Sequence, residues 1–311
     1  MRAPHTVPAS WPPLKPGRFA EQIRRDDARD CRIALLGLPD DLGVRLNGGR
    51  PGAADGPRAF RAALAGFGTP WDGVLQRPLD AGVFDAGDVE PAPGADEGAL
   101  LATHERVAAA VRALHERDLV PFCVGGGHDL SLPCARALAE HLGEAVGGVN
   151  LDAHLDVRER VGSGMPFRRL IERGWLEPRR FVELGVGRFV NDERDHRWLL
   201  ELGAHVVTLA RARDEPVADA IELALGTGAG FVSIDLDALD ASVVPGVSAP
   251  NPSGLGVEYA ARLVEAAGQH ANARQLHLME LCPPEDASGR SARVAALLFL
   301  SFVAGYGGRA R

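Results

Sequence analysis

The chain reads as an α/β protein built on a parallel sheet covered by helices on both faces. Three observations predict it: short continuously apolar runs, alanine- and leucine-rich stretches of helical spacing between them, and the regular alternation of the two. A strand that is apolar throughout is buried on both faces, and helical crossovers are what place cover on both faces of a parallel sheet. In chain order the predicted strands are "CRIALLGLP" (31–39), "LVPFCVGGG" (119–127), "AVGGVNLDAH" (145–154), "RFVELGVG" (180–187), "HVVTLA" (205–210), "GFVSIDLDAL" (230–239) and "QLHLMELC" (275–282). The predicted helices are 97–118, 130–142, 193–203, 216–225 and 257–268. No linker or internal repeat interrupts the pattern, so residues 31–311 are expected to form one domain. The proline-rich stretch 1–30 is expected to be a tail or a loosely docked segment, and the Pro- and Gly-rich stretch 68–96 an irregular surface excursion.

Composition narrows the function classes. The 311 residues carry a formal charge of -8, which argues against a general nucleic-acid binder. No apolar run is long enough to span a membrane. The four cysteines, Cys31, Cys123, Cys134 and Cys282, show no CxxC spacing, and three of them lie in or beside apolar runs, where a buried, reduced thiol is expected. With no signal-peptide pattern at the start, a cytoplasmic protein is expected.

In open α/β sheets, ligands bind beyond the carboxyl ends of the strands, so polar residues ending apolar runs are the ones to weigh. "VGGGHDLSLP" places His128 after a glycine run, "NLDAHLDVRE" supplies Asp152, His154 and Asp156, and "SIDLDALD" supplies Asp235 and Asp237. Residues i and i+2 of a strand share a face, so like charges are expected side by side. Carboxylates share a small volume only when protons or cations neutralise them. Oxygen and imidazole donors without thiolate suit manganese or a cation of similar hardness, and six donors fit two bridged ions better than one. Each motif alone has an ordinary explanation, a cap or a tight turn. Three of them, each ending a buried strand, point to a dinuclear site.

Together "GGGHDLS", "NLDAHLDVR" and "SIDLDALDASVVPGVSAP" resemble the ureohydrolase superfamily of arginases, agmatinases and formimidoylglutamases. "GGRPGAADGPRAFR" (48–61) looks like that family's N-terminal substrate-side loop, and the likeness extends to "MELCPPEDASGRSARVAA" (279–296). The resemblance implies a single three-layer α/β/α domain with a parallel sheet of about eight strands, two Mn2+ ions and a homo-oligomer. It assigns His128, Asp152, Asp156 and Asp235 to one ion and Asp152, His154, Asp235 and Asp237 to the other. A water activated by the pair would attack an amidine or guanidine carbon, with Asp156 transferring the proton to the leaving nitrogen and Glu280 pairing with the cationic head.

Two features choose among family members. Arginases and agmatinases have a histidine where this chain has Ser163, and "VGSGMPF" resembles the formimidoylglutamase form. Arg158 stands where arginases have an asparagine, and "DAHxDxR" is again the formimidoylglutamase pattern. An arginine fork suits the doubly carboxylated N-formimino-L-glutamate. Arg158 is therefore expected to anchor a carboxylate, with Arg169 and Arg188 as further candidates. The expected reaction is hydrolysis of formiminoglutamate to glutamate and formamide, as in histidine degradation. The nearest alternative is an arginase, agmatinase or guanidino-acid hydrolase releasing urea. More distant ones are a single-zinc deacetylase and a non-enzymatic, metal-stabilised binding protein.

Overall fold

A computed structural model describes residues 2–79, 82–214 and 216–309. Its main sheet has nine strands: β1 (Thr6–Val7), β2 (Ile33–Leu38), β3 (Val83–Val89), β4 (Val120–Gly125), β5 (Val146–Leu151), β6 (Leu176–Val186), β7 (His205–Thr208), β8 (Gly230–Asp235) and β9 (Ala273–Met279). Their spatial order is β1-β3-β2-β4-β9-β8-β5-β6-β7. Every pairing is parallel except that of the two-residue edge strand β1 with β3.

Both faces of the sheet are apolar, and the alternation is visible within single strands. On β2, Ile33 and Leu35 join one core while Ala34, Leu36 and Leu38 join another. The first core is closed by α1 (Gly56–Gly66), α6 (Val217–Leu225), α7 (Val257–Gln269) and α8 (Arg290–Tyr306). The opposite face is closed by α2 (Glu97–His115), α3 (Ser131–Leu142), α4 (Pro166–Glu172) and α5 (Glu193–Glu201). This is the expected three-layer α/β/α arrangement. Among the described residues no helix is long and apolar enough to cross a membrane, and all four cysteines are buried and free.

Two expectations differ from the structure. The stretch 68–96 is not only a surface excursion, because it contains β3, which lies between β1 and β2. The carboxylates in "VFDAGDV" disguise a buried strand. Arg61 of α1, 1% exposed, neutralises them, with Nη2 at 2.9 Å from Asp85 Oδ1 and Nη1 at 2.6 Å from Asp88 Oδ1. Breaking such a buried pair costs roughly 3–5 kcal/mol, because the surviving charge stays desolvated. The stretch before residue 31 is also less loosely attached than expected. Phe19, Ala20 and Ile23 are buried in the first core, and Trp11 Nε1 donates to Asp85 Oδ2 at 2.6 Å.

Candidate active site

Four adjacent strands at the centre of the sheet, β4, β9, β8 and β5, each deliver one part of a single cluster beyond their carboxyl ends. His128 follows β4, Glu280 follows β9, Asp235 ends β8, and Asp152, His154 and Asp156 follow β5. Asp237 lies past the strand, in a short 3-10 turn over Leu236–Ala238, rather than beside Asp235 on a strand face. The same device sets both pairs: Asp152 Oδ1 accepts from the His154 backbone N–H at 2.7 Å, and Asp235 Oδ1 from that of Asp237 at 2.7 Å.

The glycine run before His128 has a packing reason. A side chain at Gly125 would meet Met279 Sδ at 2.0 Å, and one at Gly126 would meet the Asp40 carbonyl oxygen at 1.8 Å. Backbone strain marks the site as well. Asp156 (φ 48°) and Glu280 (φ 64°) both adopt the left-handed region, which non-glycine residues rarely occupy.

The donor atoms fall into two groups, each within 4.8 Å: His128, Asp152, Asp156 and Asp235, and then Asp152, His154 and Asp237. The first is the complete set expected for one ion. The second holds three of the four residues expected for the other, Asp235 lying outside it. His128 Nδ1 is 3.1 Å from Asp152 Oδ2, 3.0 Å from Asp156 Oδ2 and 3.1 Å from Asp235 Oδ2, yet makes no hydrogen bond of proper geometry with any of them. His154 Nδ1 is 3.1 Å from Asp237 Oδ2 and 3.4 Å from Asp152 Oδ1.

Protein groups alone leave this charge poorly balanced. Burial and the neighbouring Asp237 and Asp152 raise the Asp235 carboxyl well above the carboxylate range, while burial and Asp152 push Asp237 up to about 7. Burial opposes charge on the His154 ring, but Asp237 and Asp152 push it up to about 12. One imidazole nitrogen facing three carboxylate oxygens, together with the partnerless Asp237 Oδ1, is a donor set that fits hard divalent cations.

The cluster opens on a cavity of about 190 Å³ lined by His128, His154, Asp156, Asp235, Asp237 and Glu280, with Arg158 and Ser163 on its loop side. Glu280 Oε1 accepts from the His128 backbone N–H at 2.9 Å, whereas the buried Oε2 has no partner among the described residues. Arg158 is exposed, and among the described residues its guanidinium makes no hydrogen bond or ion pair. Arg188 lies over the Phe189 ring at 4.9 Å, beside a larger adjoining cavity that shares His154, Ser248 and Ala249.

Arg169 is not brought to the site. It sits on α4, bonded to Glu172 (3.0 Å) and to the Glu159 carbonyl (2.7 Å), and lines a separate cavity beside Trp175. The helix carries it away from the metal-side loops.

Sequence reasoning missed Asn47. In the amide orientation that satisfies its neighbours, its oxygen accepts from Ser163 N (3.2 Å), Ser163 Oγ (2.9 Å) and Gly164 N (3.1 Å). It joins the loop after β2 to the one bearing Arg158. Arg50 was missed too. It donates to the Ser248 carbonyl at 2.9 Å and pairs with Glu285 at 2.7 Å, and the only hint was its place in "GGRPG".

Comparison with known proteins agrees with this geometry. Residues 31–305 match the profile of the arginase family. A formimidoylglutamase of Ralstonia nicotianae is 33% identical, covering 93% of this chain and 90% of that protein. One of Halobacterium salinarum is 36% identical over 90% of this chain and 89% of that protein. The crystal structure of Trypanosoma cruzi formiminoglutamase with two Mn2+ ions superposes with a TM-score of 0.88 at 32% identity, covering 94% of this chain and 99% of that one. The sequence match, the sheet and the strand-end cluster agree: this chain belongs to the arginase family.

Proposed function

We propose that the chain is a formimidoylglutamase, hydrolysing N-formimino-L-glutamate to L-glutamate and formamide. The observation that carries this reading is the juxtaposition, on one cavity, of the histidine–carboxylate cluster, a Glu280 oxygen with no partner among the described residues and the exposed guanidinium of Arg158. Its 33–36% identical relatives in the arginase family carry that name. His128, Asp152, Asp156 and Asp235 would hold one manganese ion, and Asp152, His154, Asp237 and Asp235 the second. Two such ions, when bound, lower the pKa of a shared water so that it is nucleophilic near neutral pH.

The remaining roles belong to the chain itself. Glu280, fixed through Oε1, offers Oε2 to the N–H groups of the amidinium. A charge-assisted bond to a planar cation both holds and orients it. Asp156, reached from the same cavity, protonates the glutamate nitrogen as its bond to the formimino carbon breaks. Glutamate leaves with that nitrogen, and the formimino carbon departs as formamide with the oxygen of water. Arg158 takes one carboxylate of the substrate, and Arg188, on the adjoining surface past His154, is the second candidate cation. Ser163, its hydroxyl bonded to Asn47, closes the side of the cavity where arginases carry a histidine.

A cytoplasmic location belongs to the same reading, supported by four free, buried thiols. So does a homo-oligomer, which light scattering would test; exposed Phe189 and Val74 are apolar surface an assembly could cover.

The deciding experiment incubates manganese-loaded protein with formiminoglutamate, arginine, agmatine and guanidinobutyrate and assays formamide and urea. Formamide and glutamate from the first substrate alone are expected. Urea from arginine without glutamate from formiminoglutamate would overturn the reading.

A further inference from the structure

Glu183 plays no part in the mechanism above, yet it is a fully buried carboxyl next to the cluster. It lies on β6 directly opposite Asn150 of β5, and both are 0% exposed. The Asn150 amide nitrogen donates to Glu183 Oε2 at 2.9 Å and to Asp152 Oδ2 at 3.3 Å. The pair also contains two buried oxygens without partners among the described residues, Asn150 Oδ1 and Glu183 Oε1. A buried acceptor left without a donor is costly, so two of them on adjoining side chains call for a common cause.

Two buried carboxylates flanking one amide are also unfavourable. Burial, with a smaller push from the Asp152 charge, raises the Glu183 carboxyl well above the usual range. A carboxylic acid and a primary amide that share one N–H···O bond can close a ring with an O–H···O bond in the other direction. One acid proton then satisfies both orphan oxygens.

We propose that Glu183, as a carboxylic acid paired with Asn150, is a positioning residue for the metal ligand Asp152. The ring holds the amide plane and presents its remaining N–H to Asp152 Oδ2. The backbone N–H of His154 already holds Oδ1. With one donor on each oxygen, the rotation of the Asp152 carboxylate is set from behind, and its other lone pairs face the two histidine nitrogens. Groups behind a metal ligand commonly contribute 10–100-fold to affinity by such orientation. The inference rests on the two-ion reading of the cluster.

Calorimetric titration of chelator-treated protein with manganese tests it without reference to turnover. Glu183→Gln keeps a donor and an acceptor of the same shape, so manganese affinity within about twofold of the original is expected. Glu183→Leu removes both, and about a tenfold or larger loss is expected, with the KM for substrate at saturating manganese unchanged. Asn150→Ala, a smaller change should the leucine variant fold poorly, is expected to lose affinity by a similar factor. Combining it with Glu183→Gln should lose no more, since the two act as one unit. The proposal is overturned if Glu183→Gln is as damaged as Asn150→Ala, if the double variant shows additive losses, or if Glu183→Leu binds as tightly as the unaltered protein. An unaltered protein that binds no manganese would overturn the two-ion reading along with it. Two ions bound with no effect of these substitutions would overturn this inference alone.

Discussion

Asp156 and Arg158 are separated by one residue but belong to regions built in different ways. Asp156 is buried, lies in a strained left-handed conformation and is surrounded by groups delivered from four neighbouring strands. Arg158 is exposed on the same loop, which is tied down by the bond from the Arg158 N–H to the Gly164 carbonyl at 2.8 Å and by side chains of its surroundings, among them the Asn47 amide bonded to Ser163 and Gly164. The comparison separates two kinds of requirement. A dinuclear centre needs donors fixed to a fraction of an ångström, which the ends of packed strands provide. A carboxylate anchor needs reach and a permanent charge, which a long arginine provides from a loop.

The largest effect that would test this division is at the strand ends. Asp237→Ala is expected to abolish turnover and remove one manganese ion per chain, by metal analysis, while far-ultraviolet circular dichroism keeps the spectrum of the sheet. Loss of the folded signal together with the metal would mean that the cluster also holds the sheet together. Glu280→Gln comes next. It keeps the bond to the His128 N–H but removes the carboxyl proposed to pair with the amidinium, so kcat/KM should fall by roughly 10²–10³-fold with both ions retained. Loss of metal on this change would place Glu280 among the ligands rather than against the substrate.

On the rim the effects are smaller and of a different kind. Arg158→Ala is expected to raise KM by about tenfold or more, the worth of a hydrogen bond to a charged group, with manganese content unchanged. Arg158→Lys, which keeps the charge but loses the fork, should fall between. A fall in kcat at constant KM would give Arg158 a role in the chemical step. The smallest effect is expected at Arg169, whose partners Glu172 and Glu159 lie outside the metal-side cavity. Arg169→Ala should leave KM within twofold and change stability by no more than about 0.5 kcal/mol in denaturant melts, as for an ordinary surface position. A KM rise like that of Arg158→Ala would show that the two loops rearrange on binding.

How much could be read from the chain differs between the same two regions. All six donor residues were visible, because ligands at i, i+2 and i+4 after an apolar run have few other uses and strand ends meet at one edge of a parallel sheet. Glu280 was singled out differently, through the family resemblance of the stretch "MELCPP" rather than by strand-end position alone. The rim was harder. Arg158 was singled out by the "DAHxDxR" pattern, whereas Arg169 and Arg188 were only further candidates, and the direction of α4 is what separates Arg169 from the other two. Asn47 lies 116 residues from Ser163, a contact that no local pattern encodes. Strand β3 was missed for a related reason: its two aspartates look solvated until Arg61, 24 residues earlier, is placed against them. Glu183 left a faint sign, a single carboxyl within the apolar run "RFVELGVG", readable as a buried charge that needs an explanation.

By itself, then, the sequence determined the layered α/β/α plan, the parallel sheet and which strand-end side chains meet in one cluster. Periodicity and strand-end position are local properties, and backbone geometry carries them directly into space. Only the tertiary structure decided which arginines face the cavity, how Asn47 joins two loops, how Arg61 makes a charged strand fit for burial and which oxygen of Glu280 is taken up by the His128 N–H. Each of these depends on groups far apart in the chain meeting at hydrogen-bond distance, and that meeting is set by packing rather than by any nearby residue.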